Sequence, residues 1–428
     1  MHTYAAVDCD NFYVACERVF DPRLARRPVV VLSNNDGCVI SRSQEAKRLG
    51  IRMGAPLFQI RALTEAQGVR VFSSNYALYG DMSRRVMETL ATFTPEVEVY
   101  SIDEAFLGLG GGLERRRGEK LLDYGHAVRE RVRRWTGLPS SVGIAPTKTL
   151  AKLAVRLAKR SREGSVRHLV GAREIEEALA RTPAEEVWGV GRRLARRLQA
   201  EGITTALELA RADDRLIRRR MRVTGLRVVH ELRGVPCLPL ELCPPPRRSV
   251  TVSRSFGQTV ERLEDLCEAV SFFTTRAAEK LRRARLAAGV LMVFVATNRF
   301  ADGPQHEGSA VVHLPVPTAL TAELIGYARR AVEEAFRPGL RYKKAGVMLL
   351  ELVPESPAQR GLFDRVDRER ARRVLEAVDG INRRMGPDTV RFASAGLRSR
   401  TQAWRTICER RSPRYTTRWD ELLTLSAG

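Results

Sequence analysis

Three acidic residues in this chain stand where apolar runs end. Asp8 closes Tyr4-Ala5-Ala6-Val7, and Asp103 with Glu104 follows Val97-Glu98-Val99-Tyr100-Ser101-Ile102, after which Ala105-Phe106-Leu107 leaves. Carboxylates at the ends of buried strands are costly unless a cation meets them. Hard divalent ions such as Mg²⁺ favour carboxylate oxygens. If the strand before Asp8 lies beside the two that meet at Asp103-Glu104, the three acids form an oxygen-only site. The main-chain carbonyl of Cys9 would add a further ligand. Two Mg²⁺ ions held there suit nucleotidyl transfer, in which a 3′-hydroxyl attacks a triphosphate and pyrophosphate leaves. Taken alone, Asp103-Glu104 serves equally well as an ordinary turn. Successive strand residues point to opposite faces, so both acids reach one metal only if the backbone bends between them.

Other residues would attend the same chemistry. Ser41, where a hairpin opens into a helix, Lys47 further along that helix, and Lys152 on a later helix are candidate phosphate contacts. Each taken alone reads more readily as a solvated surface residue. Phe12 and Tyr13 follow the Asp8 strand directly; an aromatic there would stack under a sugar and exclude a 2′-hydroxyl, or pack as helix core. Val187-Trp188-Gly189-Val190-Gly191-Arg192-Arg193 has an apolar-Gly-apolar-Gly turn opening a helix. Free N–H groups at such a turn hold a DNA backbone phosphate without reading sequence, a helix–hairpin–helix pattern. In Gln359-Arg360-Gly361-Leu362-Phe363 a Leu-Phe pair lies in a polar stretch beyond Pro354 and Pro357, suited to a hydrophobic groove on a partner.

The elements that must position these residues can be traced in order. Residues 4–8 form a buried strand, and Asp10 or Asn11 would cap the helix that follows. Val29 to Leu32 and Cys38 to Ser41 flank Ser33-Asn34-Asn35-Asp36-Gly37, a hairpin signal. Helices follow at 43–49, 56–63 and 76–92, with a short strand at 69–72. After the acidic tip come a helix over 121–135, a buried strand at 141–145 and a helix over 147–160 that carries Lys148, Lys152, Arg156 and Lys159 along one side. This alternation is a mixed α/β unit. Residues 171–238 read as helical and Arg-rich. Cys243-Pro244-Pro245-Pro246 reads as a linker. Strands return at 250–252, 290–296, 310–314 and 346–352, with helices at 262–284 and 318–336, an α+β unit. The remainder, from Pro354, is polar and basic and reads as loosely packed or ordered by a partner.

A length of 428 residues suggests roughly three domains. Lys and Arg number 73 against 50 Asp and Glu, a net charge of +23, which calls for a polyanionic partner and points to nucleic acid. Seven cysteines, with no CxxC pair and no zinc spacing, indicate a reduced, cytoplasmic protein. No apolar run approaches the roughly 18 residues of a membrane span, and no signal peptide precedes the first strand.

Longer motifs carry a family resemblance. Pro28 to Ile40, Phe72-Ser73-Ser74-Asn75-Tyr76, Tyr100-Ser101-Ile102-Asp103-Glu104-Ala105-Phe106, Thr147 to Ala154, Val187 to Arg193, Ser253-Arg254-Ser255-Phe256-Gly257, Tyr342 to Leu349 and Ser412 to Arg418 resemble the Y-family translesion DNA polymerases, UmuC-like subfamily, over essentially the whole chain. The resemblance implies a multidomain α+β right-hand polymerase. Its palm (a ferredoxin-like split βαβ) would be 1–11 and 80–170, its small fingers 12–79, its helical thumb with the helix–hairpin–helix 171–240. A linker at 241–247 would lead to an α+β little finger, 248–352, and a tail, 353–428. Asp8, Asp103 and Glu104 match the family's metal-binding acids, Tyr13 its steric gate with Phe12 beside it, and Ser41, Lys47 and Lys152 its triphosphate contacts. Gln44 stands where many relatives have a triphosphate-contacting Tyr. Gly189, Gly191, Arg192, Arg193 and Arg254 match DNA contacts, and Gln359, Leu362 and Phe363 a sliding-clamp motif. The implied activity is error-prone, template-directed synthesis across damage in the SOS response. It would use two Mg²⁺ ions, dNTPs and primer-template DNA, with a UmuD-like dimer and a recombinase filament as further partners. A nucleotidyl cyclase would also use strand-tip acids, but has no use for duplex-binding elements. A non-catalytic, clamp-recruited DNA-binding factor would not need all three acids.

Overall fold

The computed structural model describes residues 3–110, 118–161, 165–355, 366–397 and 402–423. The chain divides into two compact units, one of Met1–Ser33, Gly37–Pro244 and Arg410–Gly428, the other of Asn34–Asp36 and Pro245–Glu409.

In the first unit, strand β1 (Tyr4–Cys9) leads to helix α1 (Phe12–Phe20). Strands β2 (Val29–Leu32) and β3 (Val39–Arg42) precede the short helix α2 (Gln44–Arg48), then α3 (Leu57–Ala66), β4 (Arg70–Ser73) and α4 (Tyr76–Ala91). The acidic tip lies between β5 (Val97–Val99) and β6 (Glu104–Gly108). Helix α5 (Gly118–Thr136), strand β7 (Ser140–Ala145), helix α6 (Lys148–Arg160) and strand β8 (Val166–His168) follow. Four helices then run in succession: α7 (Ala172–Ala180), α8 (Arg192–Ala200), α9 (Ala206–Arg211) and α10 (Asp214–Leu232).

Two sheets organise this unit. The larger has the order β5-β6-β1-β7-β8 and the smaller β3-β2-β4. Strand β1 is central in the larger sheet, antiparallel to β6 and β7, and every residue from Tyr4 to Val7 is buried. Gly143 on β7 makes the site possible: a Cβ there would collide with the backbone of Ala151 and Val155, so α6 lies directly on the sheet. Thr147 caps that helix by accepting from the Leu150 N–H. The four-helix segment has a core with α6 that includes Leu198, Leu209, Ile217 and Val229. It is fastened by Glu231, which is fully buried and accepts from the N–H groups of Thr149, Cys237 and Leu238. A buried ion pair, Lys148 Nζ to Glu98 at 2.6 Å, adds a second anchor, since Glu98 also accepts from the Glu241 N–H. Strand β5 thus turns its glutamate inward and leaves Val99 58% exposed, against the expectation from hydrophobicity.

In the second unit an antiparallel sheet of order β11-β10-β12-β9 comprises β9 (Val250–Val260), β10 (Leu286–Thr297), β11 (Glu307–Thr318) and β12 (Tyr342–Pro354). Helices α11 (Leu263–Arg283) and α12 (Thr321–Ala335) share one core with it, around Phe256, Phe273 and Leu291.

Three local expectations need correction. Asn11 occupies the N-cap position of α1 with a left-handed backbone, but makes no side-chain cap. Ser43, not Ser41, caps α2, accepting from the Ala46 N–H; Ser41 lies within β3. The described part of the tail is not loose. Helix α13 (Arg368–Met385) forms there, and Trp404 enters the core of the second unit. The Arg410 carbonyl accepts from the Ser73 N–H and its own N–H donates to the Ser73 hydroxyl, while Asn75 donates to Ser412 and Pro413 in the first unit. Polar composition hid this because the segment is held by hydrogen bonds and single aromatic anchors rather than by an apolar stripe.

Candidate active site

The three acids meet at one end of the larger sheet. Asp8 and Glu104 are directly opposed in the β1–β6 register. The Cys9 N–H donates to the Asp103 carbonyl at 2.9 Å, tying the acidic tip to the end of β1. Ser101 shapes the tip. Its hydroxyl donates to Asp103 Oδ1 at 2.6 Å and accepts from the N–H groups of Asp103 and Glu104. A bend occupies 101–103 and β6 begins at Glu104, so the backbone does turn at this junction.

The acids face different surroundings. Asp103 acts electrostatically on Tyr13 and Cys16 of α1, whereas Glu104 accepts from Lys152 Nζ at 3.2 Å. Asp8 accepts from Lys159 Nζ at 2.5 Å, and the same lysine lies 3.3 Å from Asp10. Burial pushes the Asp8 carboxyl up to about 6 against the pull of Lys159, and the charges of Glu104 and Asp103 add to the rise. Among the described residues no three acid, His or Cys side chains gather closely enough to hold one ion in this conformation. The donor set is all oxygen and suits a hard divalent cation. Lysines 152 and 159 supply the positive charge here.

Lys152 is confined: its ammonium lies 4.2 Å from the Tyr100 ring centroid and 5.0 Å from that of Trp188, whose indole N–H donates to the Tyr100 hydroxyl. Lys47 joins the cluster from α2. Burial lowers its pKa first, the like charges of Arg42 and Lys159 lower it further, and Asp10 and Asp8 oppose them. Asp10 also accepts from the Ser141 hydroxyl. A cavity of about 290 Å³ opens beside the acids, lined by Asp8, Glu104, Lys152, Lys159, Glu186 and Trp188. Tyr13, Ser41 and Lys47 are not among its lining residues.

Tyr13 is half-buried and stacks on Tyr79 at 4.5 Å, with Tyr76 edge-on at 6.1 Å. Phe12 is buried in the core. Ser41 is also buried, accepting from the Val14 N–H and donating to the Asn11 carbonyl, so its hydroxyl secures the first turn of α1. Gln44 is exposed at the start of α2. Gly189 has φ +86°, a conformation that side chains resist, and Gly191 caps α8 without a side chain, leaving Arg192 and Arg193 exposed at its first turn. Arg254 lies on β9 with its guanidinium 5.4 Å from the Phe272 ring. Gln359, Leu362 and Phe363 lie outside the described residues.

Sequence reasoning met Asp10 only as a possible helix cap and Lys159 only as one of a basic row, and placed neither at the site. The available signal was spacing. Lys152 and Lys159 are seven apart on α6 and share a face, so a helix seated on the sheet carries both to its acidic end.

The impB/mucB/samB family covers residues 7–156, its C-terminal domain 247–362, and a domain of unknown function, DUF4113, 372–425. Protein SamB of Salmonella typhimurium is 45% identical over 98% of both chains. This chain belongs to the impB/mucB/samB family. Protein UmuC of the same organism (strain LT2) is 44% identical over 98% of this chain and 99% of its own. A DNA polymerase IV of Desulfatibacillum aliphaticivorans is 30% identical over 91% of this chain and 95% of its own. A solved Y-family DNA polymerase chimera of Dbh and Dpo4 superposes with a TM-score of 0.68 at 20% identity, covering 82% of this chain and 99% of the chimera. The fold is that of a Y-family polymerase. No helix among the described residues is long and apolar enough to cross a membrane.

Proposed function

We propose that the larger sheet is the palm, β2–β4 with α2 and α3 the fingers, α7–α10 the thumb and the second unit's sheet and helices the little finger, and that the acids at the end of the palm sheet carry out error-prone, template-directed DNA synthesis across damage, with Asp8, Asp103 and Glu104 as the catalytic carboxylates. The chain is a DNA-directed DNA polymerase. One observation carries the assignment of the site: Asp8 and Glu104 are opposed in register while the Asp103 carbonyl is bonded to the Cys9 N–H, with Lys47 and Lys159 acting on Asp8 and Lys152 bonded to Glu104.

Asp8, Asp103, Glu104 and the Cys9 carbonyl are the ligands for divalent metal, in this reading two Mg²⁺. When bound, these ions offset the triphosphate charge and favour attack by the primer 3′-hydroxyl. Lys159 and Lys47 take the phosphates of the incoming dNTP, Lys159 by leaving Asp8. Lys152, flanked by its aromatic neighbours, takes a phosphate in the same way by leaving Glu104. Tyr13, braced by Tyr79 and Tyr76, meets the sugar and rejects a 2′-hydroxyl. Gly189, Gly191, Arg192 and Arg193 grip the duplex backbone, and Arg254 a strand at the little finger. Gln359, Leu362 and Phe363 dock on a sliding clamp, and a UmuD-like dimer and a recombinase filament act with the polymerase on cytoplasmic DNA.

Primer extension on a lesion-bearing template tests the site. Asp103→Ala and Glu104→Ala each abolish extension and leave primer-template binding within about twofold of the parent. Full extension by either variant removes the acids from catalysis.

A further inference from the structure

The fingers carry a basic cleft that the catalytic reading leaves unused. Its volume is about 490 Å³ and its walls include Arg27, Arg61, Arg70 and Arg410, with Glu65 as the one acid. Each arginine reaches it from a different place. Arg27 precedes β2, and Arg70 opens β4, its N–H bonded to the Pro28 carbonyl. Arg61 comes from α3. Arg410 comes from the last segment of the chain, where its own N–H donates to the Ser73 hydroxyl and its carbonyl accepts from the Ser73 N–H. Main-chain bonds therefore fix Arg410 against the edge strand β4 and leave its guanidinium free.

None of these four guanidiniums forms an ion pair among the described residues, although the same unit pairs its arginines elsewhere. Arg84 and Arg85 hold Asp81, Arg156 and Arg160 hold Glu186, and Arg233 holds Asp214. Four like charges around one hollow repel one another, and a polyanion relieves that repulsion. Guanidinium forks match phosphate oxygens. The lining contains no aromatic side chain on which a base would stack, which disfavours a free nucleotide and favours a backbone.

We infer that this cleft, completed by Arg410 from the chain's last segment, binds the phosphodiester backbone of single-stranded DNA, the template strand ahead of the primer terminus. It thereby assigns the DUF4113 segment a part in holding DNA. The inference depends on the polymerase reading only for which strand is held.

The test compares full-length protein with Arg61→Ala/Arg70→Ala and Arg410→Ala variants on two primer-templates, one with a long single-stranded template overhang and one with a single unpaired template base. Fluorescence anisotropy measures binding across a salt series. The expected result is a loss of about tenfold on the long overhang only, with the slope of log K against log salt reduced by about 0.7 per phosphate contact removed. Single-nucleotide extension on the short substrate is unchanged, which keeps failure here distinct from failure of the catalytic assignment. Arg61→Lys/Arg70→Lys, which keeps the charge, restores most of the overhang increment. Equal loss on both substrates, no loss on either, or abolition of the overhang increment by millimolar ATP overturns the inference.

Discussion

Glu17 offers the sharpest quantitative test of how this molecule is assembled. It lies on α1, is 1% exposed, and accepts on one oxygen from the Tyr79 hydroxyl at 2.6 Å and the Ser412 hydroxyl at 3.0 Å. Burial pushes its carboxyl up to about 7, while the two hydrogen bonds pull it down. The folded protein therefore holds this proton more tightly than the unfolded chain. Below the ordinary value near 4.5 both states are protonated and there is no penalty. As pH rises towards about 7 the unfolded chain releases the proton first and stability falls; above about 7 the full cost is present. At about 1.36 kcal/mol per pH unit this cost is about 3 kcal/mol. Glu17→Gln keeps a carbonyl oxygen for both donors and has nothing to ionise. We expect the variant to equal the parent near pH 4.5 and to exceed it by up to about 3 kcal/mol at pH 8, read as urea midpoints across that range. Ser412→Ala removes one of the bonds that favour the carboxylate; it should lower stability by about 1 kcal/mol and move the parent's inflection upward. Parallel pH profiles for parent and Glu17→Gln would refute the buried, ionisable strap.

Gly143→Ala should destabilise the first unit by about 3 kcal/mol or more, since the added methyl meets the backbone of α6 rather than a movable side chain; thermal melting checks this. Lys159→Ala should lower kcat/KM for dNTP about 10- to 100-fold, the worth of one charge-assisted bond, while the affinity for primer-template stays unchanged in anisotropy. Tyr13→Ala should admit ribonucleotides in primer extension; unchanged sugar selectivity would take Tyr13 out of the gate role.

Much of the architecture is written locally. The run Tyr4 to Val7, the hairpin around Asn34 to Gly37, the amphipathic 148–160 helix and the two-glycine turn at 189 and 191 each declare their type through period or backbone tolerance. The acids of the site were also legible, because a carboxylate at the end of an apolar strand has few structural uses. What the linear order withheld was partnership across the fold. Glu98 reads as a polar interruption between valines, yet it is buried because Lys148, fifty residues on, and the Glu241 N–H meet it there. Glu17 reads as a surface helix residue, yet its partners come from α4 and from Ser412, far along the chain. The tail looked unstructured because its stability comes from hydrogen bonds to β4 and α4, which leave no periodic trace in its own composition. The same reason explains Lys159. Its charge was visible on one face of a helix, but only the seating of that helix on Gly143 brings the charge to Asp8. Sequence alone determined which residues could do the chemistry and the order of the elements that bear them. Tertiary structure decided which charges meet, because ion pairs and close packing depend on distances that only the folded chain sets.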